Sequence, residues 1–236
     1  MIFDNKTITC FLPCRKGSQR VINKNTRQFA HLDNGLIEIK INQLARSLLI
    51  DQIIVSTDDE RVKEITEDIG RRVKKPIYVV DRPNSLASSS TTTDSLIEHV
   101  PSIINEGVIL WTHVTSPFVD EKIYDSAIKF YKNAITNKAH DSVMAATKLQ
   151  NFIWNEDGPV NYKRSPIKWP QTQTLDLLYE INSAFFIAHS SIYRSHMDRI
   201  GENPALYILE HPFSIDIDSI DQFQEAQLTW ELFQKK

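Results

Sequence analysis

Four cations lie in a loop that directly follows an apolar stretch near the start of the chain. The segment FLPCRKGSQRVINKN, residues 11–25, holds Arg15, Lys16, Arg20 and Lys24. Arginine and lysine side chains bind phosphate oxygens, and arginine does so through paired hydrogen bonds. The segment lacks the Gly-Lys-Ser/Thr ending of a Walker loop, so side chains rather than a glycine-rich backbone would hold a phosphate. Taken alone, the pattern fits a phosphate-binding loop and a solvated basic loop equally well.

Two aspartates near the C-terminus alternate with isoleucines. In the segment FSIDIDSIDQF, an extended backbone would place Ile215 and Ile217 on one face and Asp216 and Asp218 on the other. Mg²⁺ binds one or two protein carboxylates together with substrate phosphates. The pair therefore predicts a magnesium site. In the competing interpretation, Asp218 or Ser219 caps the last helix and Asp216 is merely exposed.

Two further polar clusters follow apolar runs. The segment DRPNSLASSSTTTDSL offers Arg82 and a group of hydroxyls before a helix, and THVTSPF offers His113, Thr115 and Ser116. A hydrophilic loop with a Ser or Thr helix cap and a structural histidine are the competing interpretations. The serines lack a nucleophile motif, so the sequence argues against covalent serine catalysis.

Continuous apolar runs alternate with helical patterns over the first 150 residues. Helices are predicted from apolar periodicity or capping residues, and strands from short apolar runs. The predicted strands are 7–13, 52–57, 76–80, 107–112 and 141–147, and the predicted helices are 36–49, 58–70, 91–104 and 120–135. Apolar strands separated by helices indicate a doubly wound, mostly parallel α/β sheet flanked by helices, a Rossmann-like arrangement.

The carboxyl ends of parallel strands place their loops at one edge of the sheet. Ligands of doubly wound folds bind there. We therefore expect the loops at 14–25, 57–60, 81–94 and 113–119 to converge on one site.

The alternation of predicted strands and helices stops at about residues 150–180. This segment carries three prolines, two tryptophans and an Asp157-Gly158 turn signal without helical periodicity, which predicts a projecting hairpin or arm. An aromatic arm that cannot bury itself packs on a partner, so we expect a homodimer through this arm. A further apolar segment and a C-terminal helix would complete a single domain over residues 1–236.

Composition narrows the class of protein. The chain has 236 residues, 41% of them hydrophobic, and a net charge of -3, so it lacks the broad basic face of a nucleic-acid binder. No apolar run approaches the roughly 20 residues that span a bilayer, and the N-terminus lacks a secretory signal pattern, so we expect a cytoplasmic protein without a membrane segment. Cys10 and Cys14 are expected to be reduced, structural thiols.

Taken in order, these segments resemble the acylneuraminate cytidylyltransferases, the family of the CMP-sialic acid synthetases. PCRKGSQRVINKN is similar to the family's Pro-Ala-Arg-x-Gly-Ser followed by Lys-Asn. IIVSTDDE, RPNSLA, TSP, YEINSAFFI and SIDIDS are similar to further family segments. The resemblance runs from about residue 7 to residue 227.

The resemblance implies an enzyme that joins CMP from CTP to an acidic nonulosonic sugar and releases pyrophosphate, with Mg²⁺ as cofactor, in a homodimer with a swapped arm. Asp216 and Asp218 would hold Mg²⁺, and together with Arg15 and Lys24 they would be the catalytic residues. The implied nucleotide-binding residues are Arg15, Gly17, Ser18, Lys24, Asn25, Arg82, Thr92 and Thr93. The implied sugar-binding residues are His113, Thr115, Ser116, Gln173 and Asn182.

The sequence departs from the family pattern at several positions, most of which are expected on the sugar side. His113 and Val114 replace Gln-Pro, Val119 stands where an arginine often follows, Ser89 replaces an aspartate, and Ser183 replaces the glycine of Asn-Gly-Ala. We therefore expect a nonulosonic sugar other than plain N-acetylneuraminate. The alternatives are a catalytically silent nucleotide-binding relative and a cytidylyltransferase for the eight-carbon sugar Kdo.

Overall fold

A seven-stranded, mostly parallel sheet forms the centre of the protein. The computed structural model describes residues 1, 4, 6–88 and 90–234. The strands are β1 (Ile8–Cys14), β2 (Gln52–Thr57), β3 (Ile77–Asp81), β4 (Val108–Thr112), β5 (Ser142–Leu149), β6 (Trp154–Asn155), β7 (Gly158–Pro159), β8 (Leu178–His189) and β9 (Pro204–Ile208). The helices are α1 (Gly35–Arg46), α2 (Glu60–Gly70), α3 (Asn84–Ala87), α4 (Thr93–Ile103), α5 (Glu121–Thr136), α6 (Ser190–Ser195) and α7 (Ile220–Phe233).

The strand order in the seven-stranded sheet is β3-β2-β1-β4-β8-β5-β9, and β6 and β7 form a separate two-stranded sheet. β1 pairs in parallel with β2 and β4, and β5 pairs in parallel with β9, whereas β8 runs antiparallel to both β4 and β5. The predicted doubly wound α/β fold is therefore confirmed. Because β1, β2, β3 and β4 run in the same direction, their carboxyl ends lie along one edge of the sheet.

Apolar side chains cover both faces of the sheet, which explains why the strands read as continuous apolar runs. Neighbouring residues of β1 point in opposite directions: Leu12 belongs to the core under α1, α2, α5 and α7, whereas Phe11 packs with residues of α4 and α6. Trp230 anchors α7 in the first of these cores, and Trp111 of β4 lies in the second.

The segment between β5 and β8 forms the predicted hairpin. β6 and β7 pair across the turn at Glu156 and Asp157, and a short 3₁₀ turn follows at Thr172–Thr174. We call residues 150–180 the arm. Among the described residues, no helix has the length and apolar character needed to cross a membrane.

β8 contains a bulge of several residues beside β5. Met144 pairs with Phe186 and Ala146 with Ile181, so residues 182–185 of β8 lie opposite Ala145 alone. Ser183 takes the left-handed conformation, with φ 57°, and Asn182 is tied back to β5 by a 3.0 Å hydrogen bond from its Nδ2 to Thr147 Oγ1. Bulges re-aim side chains, and this one turns Asn182 and Ser183 toward a cleft beside the C-terminal aspartates.

Candidate active site

The cationic loop after β1 is fastened to the neighbouring strand ends. Thr57 Oγ1 donates to the carbonyl of Cys14 at 2.5 Å, and the amide N–H of Lys16 donates to Asp58 Oδ1 at 2.8 Å. Asn25 closes the loop by donating from Nδ2 to the carbonyl of Arg15 at 3.1 Å. The loop after β1 and the loop after β2 therefore converge, as expected from the parallel order.

Arg15 and Gly17 lie at the tip of this loop. The guanidinium of Arg15 makes long contacts of 3.4 and 3.3 Å with the carbonyls of Lys16 and Gly17 and is otherwise free for a ligand among the described residues. Gly17 has φ 77°, and a Cβ there would meet no atom within 4 Å. Glycine is thus favoured at this position by its backbone conformation and not by crowding.

Lys24 connects the first loop to the C-terminal aspartates. Its Nζ donates to the carbonyl of Ile217 at 2.7 Å and lies 3.6 Å from Asp218 Oδ1. Burial lowers the pKa of the ammonium and Arg20 adds to that effect, whereas Asp218 and Asp216 raise it. The two sequence segments predicted to bind phosphate and metal are therefore one cluster in space.

Arg20, which the sequence left as a possible solvated neighbour, pairs with Asp218. Its Nη2 lies 2.8 Å from Asp218 Oδ1, and both side chains are about half exposed or more, at 69% and 46%. An ion pair this exposed stabilises the fold by less than about 1 kcal/mol. Its main effect is on the carboxylate, which it keeps close to the cationic loop.

Asp216 is a half-buried residue, one of whose carboxylate oxygens is buried and unsatisfied. Oδ1 of Asp216 has no hydrogen-bond partner among the described residues. Burial raises the pKa of this carboxyl and Asp218 raises it further, while Thr115 and Lys24 lower it. A buried carboxylate oxygen without a partner is costly unless a ligand supplies a positive charge, so the donor set fits a bound cation.

Of the two residues that the competing interpretation offered as the helix cap, the structure uses Ser219 and not Asp218. Ser219 is the N-cap of α7, and it forms a capping box with Gln222. The Oε1 of Gln222 also accepts from the backbone N–H of Asp218, at 2.8 Å. Neither aspartate side chain is therefore used in capping α7. Within the described part of the chain, no group of three or more His, Cys, Asp or Glu side chains could hold a metal, so other ligands of Mg²⁺ would be water and substrate phosphate.

The loop after β4 completes the cluster. The N–H of Ile217 donates to the carbonyl of Thr115 at 2.9 Å, which fixes the aspartate segment against this loop. Trp111 Nε1 donates to His113 Nε2 at 3.0 Å. Ser116 is buried, and its hydroxyl has no partner among the described residues. Thr115, Ser116 and His113 therefore lie at the strand end where they were predicted.

A buried lysine holds this loop in place from behind. Lys40 of α1 is fully buried, and its Nζ donates to the carbonyls of Ser116 and Val119 and to Tyr124 Oη, at 2.8, 2.9 and 2.8 Å. Gln43, one turn later, donates to the carbonyl of Pro117 at 2.6 Å. Burial lowers the pKa of Lys40 to about 7.

Sequence reasoning missed Lys40, although a signal was present. Position 40 lies four residues after Leu36, three after Ile37 and four before Leu44, all of which are buried. It therefore lies on the apolar stripe of α1. A lysine there must have buried hydrogen-bond partners.

Arg82 is a buried guanidinium with free donors. It is 7% exposed, and its Nε and Nη2 have no partner among the described residues. Burial lowers its pKa and Arg15 lowers it further, against Cys14 and Asp58. Unpaired buried arginine donors suit an anionic ligand. Arg82 is close enough to Arg15 of the first loop for that residue to affect its pKa, but it lines neither of the two clefts described below.

The hydroxyl cluster after Arg82 is used in part by the helix that follows. Thr92 is the N-cap of α4, its Oγ1 accepts from the N–H of Ser95 at 3.1 Å, and Thr93 is the first helical residue. The capping interpretation therefore applies to Thr92. Ser89, noted as a departure from the family pattern, lies outside the described residues.

Two clefts flank the cluster. The first encloses about 210 Å³, and its lining includes Arg15, Ser18, Lys24, Asn25, His113 and Thr115. The second encloses about 570 Å³, and its lining includes Glu180, Asn182, Ser183, Asp216, Asp218 and Glu225. Cations thus line the first cleft and carboxylates the second, which suits a polyanion beside a metal site.

Two residues expected on the sugar side lie away from these clefts. Gln173 belongs to the 3₁₀ turn of the arm and donates from Nε2 to Gln171 Oε1 at 3.0 Å; it lines neither cleft. Val119 is fully buried in the main core. The loop after β4 folds the Val119 side chain inward and offers its carbonyl to Lys40.

The sequence profile of the family described as cytidylyltransferase matches residues 9–235. That match takes in both clefts and nearly the whole chain. The chain belongs to the cytidylyltransferase family.

Named relatives of this cytidylyltransferase-family chain act on acidic sugars. It is 26% identical over 221 residues to an N-acylneuraminate cytidylyltransferase of Escherichia coli, covering 93% of this chain and 51% of that protein. It is 23% identical over 233 residues to a pseudaminic acid cytidylyltransferase of Campylobacter jejuni, covering 94% of this chain and 96% of the other. The chain thus spans about half the length of the first relative and nearly all of the second.

A solved structure supports the cytidylyltransferase fold. The CMP:2-keto-3-deoxy-manno-octonic acid synthetase complexed with CTP matches with a TM-score of 0.65 and 13% identity, covering 96% of this chain and 99% of the other. At that identity, the likeness establishes the fold alone.

Proposed function

We propose that the chain transfers CMP from CTP to an acidic nonulosonic sugar and releases pyrophosphate, with Mg²⁺ held by Asp216 and Asp218. The observation that carries the proposal is Lys24, which joins the cationic loop after β1 to the aspartate segment. A triphosphate held by the loop would lie beside the two carboxylates, which is the arrangement that metal-assisted phosphoryl transfer requires.

The cations of the site would bind the nucleotide. Arg15 and Lys24, with the Ser18 hydroxyl and the Asn25 amide, line the first cleft, and they would hold the triphosphate and the cytosine side of CTP. The buried donors of Arg82, just after β3, would add a contact to the nucleotide. Gly17, Thr92 and Thr93 would border the nucleotide.

The second cleft would bind the sugar. Asn182 and Ser183 line it together with the aspartates, and His113 and Thr115, which line the first cleft, would reach the sugar from the loop after β4 together with Ser116. We place Gln173 at the sugar only through movement of the arm, since it lines neither cleft.

The reaction would be a single in-line displacement. The anomeric hydroxyl of the sugar attacks the α-phosphorus, the new O–P bond forms as the bond to pyrophosphate breaks, and the hydroxyl proton is released. A bound Mg²⁺ would neutralise charge on the phosphate oxygens. Lys24 and Arg15 would stabilise the negative charge that develops on the phosphate oxygens and on the leaving pyrophosphate.

We further propose that the chain acts as a homodimer through the arm. Trp154 and Trp169 are 47% and 63% exposed. Arg164 lies over both rings, 5.5 Å from each centroid, and Phe152 and Tyr162 extend the aromatic group. An exposed aromatic and arginine patch of this kind is typical of a protein interface.

The substrate is tested by measuring pyrophosphate release with CTP and MgCl₂ and, in turn, N-acetylneuraminate, legionaminate, pseudaminate and Kdo. We expect release with a modified nonulosonic acid and little with N-acetylneuraminate, because His113, Val114 and Ser183 depart from the family pattern. Turnover of Kdo alone would support the alternative substrate, and CTP binding without turnover of any sugar would contradict the proposed reaction.

Replacement of one loop cation separates the roles of the cluster. Lys24→Met should raise the KM for CTP by about tenfold or more, because a charge-assisted phosphate contact is lost. Lys16→Met, at an exposed lysine of the same loop, should have a much smaller effect. Equal effects would argue for general electrostatic attraction rather than a defined contact.

A further inference from the structure

His113 has a protonation state that its neighbour determines. The side-chain nitrogen of Trp111 is only a hydrogen-bond donor. The ring nitrogen of His113 that it contacts, Nε2 at 3.0 Å, must therefore present a lone pair. A ring turned by 180° would place the Cε1–H group against the indole N–H, so the contact also sets the orientation of the ring. In a neutral imidazole the proton then resides on the other nitrogen.

The surroundings of His113 oppose a positive charge on the ring. Burial lowers the pKa of His113 to about 3, and four cations lower it as well: Arg199, Lys24, Arg82 and Lys40. They reach it from the segment after α6, the first loop, the end of β3 and α1. Arg199 lies behind the indole, with its Cζ 5.3 Å from the Trp111 ring centroid. Both the indole contact and the cations thus favour a neutral ring.

The remaining nitrogen of His113 is free for a ligand. Nδ1 has no hydrogen-bond partner among the described residues, and His113 lines the first cleft beside Lys24 and Thr115. Trp111 itself is fully buried in the core, so the orientation of the imidazole is fixed from the protein side.

We infer that Trp111 locks His113 as the neutral Nδ1–H tautomer, which donates a hydrogen bond to an oxygen of the ligand in the first cleft. This inference rests on the proposed function for the ligand's identity. The recognised group is an oxygen acceptor, such as a carboxylate, carbonyl or phosphate oxygen. A glutamine, which the resemblance places at this position in the family, offers both a donor and an acceptor. The histidine offers the donor alone, so it discriminates against a ligand N–H or ammonium at the same point.

The tautomer is measured on the free protein, without substrate. Two-bond ¹H–¹⁵N spectra of histidine-labelled protein are recorded from pH 5 to pH 8, and the His113 signals are assigned by their loss in His113→Gln. We expect a protonated Nδ1, an unprotonated Nε2 and no titration over this range. A protonated Nε2, or titration near the ordinary histidine pKa, would overturn the inference. Neither result depends on turnover, so a failure of the proposed reaction is seen separately.

The role in recognition is measured with Trp111→Phe and His113→Phe. Trp111→Phe keeps an apolar ring in the core but removes the indole donor, so His113 should become a mixture of tautomers and titrate at higher pH. The KM of Trp111→Phe should rise roughly three- to tenfold for the substrate that carries the acceptor oxygen. This rise should occur at pH values where the KM of the wild type does not change. A change in the KM for CTP would place the acceptor on the nucleotide, and a change for the nonulosonic acid would place it on the sugar.

Two controls make the result specific. His113→Gln, which retains an N–H donor, should restore more of the affinity than His113→Phe. His31→Gln, at an exposed histidine away from the clefts, should leave both KM values unchanged. Unaltered KM values for both substrates in Trp111→Phe and His113→Phe would overturn the role in recognition.

Discussion

The ammonium of Lys24 donates to the backbone carbonyl of Ile217, 193 positions further along the chain and 2.7 Å away. The contact lies between Asp216 and Asp218 in sequence, so it sets where both carboxylates stand relative to the first loop. Because a backbone carbonyl is the acceptor, this contact itself does not require either aspartate to be charged. The cationic loop and the aspartate segment are therefore joined through one lysine.

Asp218→Asn should reduce kcat/KM by about a hundredfold or more, because it removes one of the two carboxylates available to Mg²⁺. The fold should persist, since Ser219 and Gln222 cap α7. Isothermal titration with Mg²⁺ in the presence of CTP should show weaker metal binding independently of turnover. Asp221→Asn, at an exposed aspartate in the first turn of α7, is the matched control. Normal Mg²⁺ binding in Asp218→Asn would remove the metal assignment.

Lys40→Met should lower the free energy of unfolding by about 1–3 kcal/mol, because buried acceptors lose their donor. It should also lower kcat/KM, since the carbonyls of Ser116 and Val119 are no longer held. Urea unfolding and steady-state kinetics measure the two effects. Lys129→Met, at an exposed lysine of α5, should change stability by less than about 0.5 kcal/mol. A stable Lys40→Met with full activity would contradict the role assigned to Lys40.

Ser183→Gly should raise the free energy of unfolding by roughly 1 kcal/mol, because Ser183 holds a left-handed conformation that glycine adopts without strain. Thermal unfolding is the measurement. Ser126→Gly, in the middle of α5, should have the opposite sign, since glycine weakens a helix. If both substitutions destabilise the protein equally, the serine is not strained.

Acidification should destabilise the wild type in part through His113. Its folded pKa of about 3 lies below the ordinary value, so between pH 6.5 and about 3 the unfolded chain binds a proton that the folded protein does not. Stability therefore falls as the pH is lowered through this window, by at most about 1.4 kcal/mol per pH unit. His113→Gln should flatten the slope measured by denaturant unfolding between pH 6.5 and 5. An identical slope in both proteins would show that His113 titrates normally.

Trp169→Ser should shift the protein from dimer to monomer if the arm is the interface. Light scattering after size exclusion reports the mass over a range of concentrations. Leu228→Ser removes a side chain of similar exposure, 65%, from α7, and it should leave the mass unchanged. A wild type that is monomeric at all concentrations would contradict the proposed homodimer.

The sheet and the convergence of its loops could be predicted from the sequence because both follow from local patterns. Apolar runs such as residues 52–57 match β2 residue for residue, and the predicted helix 58–70 contains α2, which Asp59 caps. Strand order was beyond such reasoning, since the antiparallel insertion of β8 between β4 and β5 depends on tertiary pairing. The bulge at Ser183 could not be predicted either, because it depends on the register in which β8 pairs with β5.

The sequence indicated Lys24, Asp216 and Asp218 as candidates by side-chain type, and the fold brings them together. The site was not predictable where a contact spans the chain. Arg20 could not be matched to Asp218, nor Lys40 to the carbonyl of Val119, without the fold. The inward direction of the Val119 side chain was likewise not predictable, because a sequence match does not show which side chains turn toward the core.

The dependence of the loop after β4 on Lys40 and Gln43 limits how this protein can be re-engineered. Residues 113–119 are a natural segment to exchange when a new sugar specificity is sought. A transplanted loop would lack the matching helix, whose Lys40 and Gln43 donate hydrogen bonds to the loop carbonyls. Chimeras should therefore carry α1 and this loop together, and libraries that vary the loop alone should be dominated by variants in which it is misplaced.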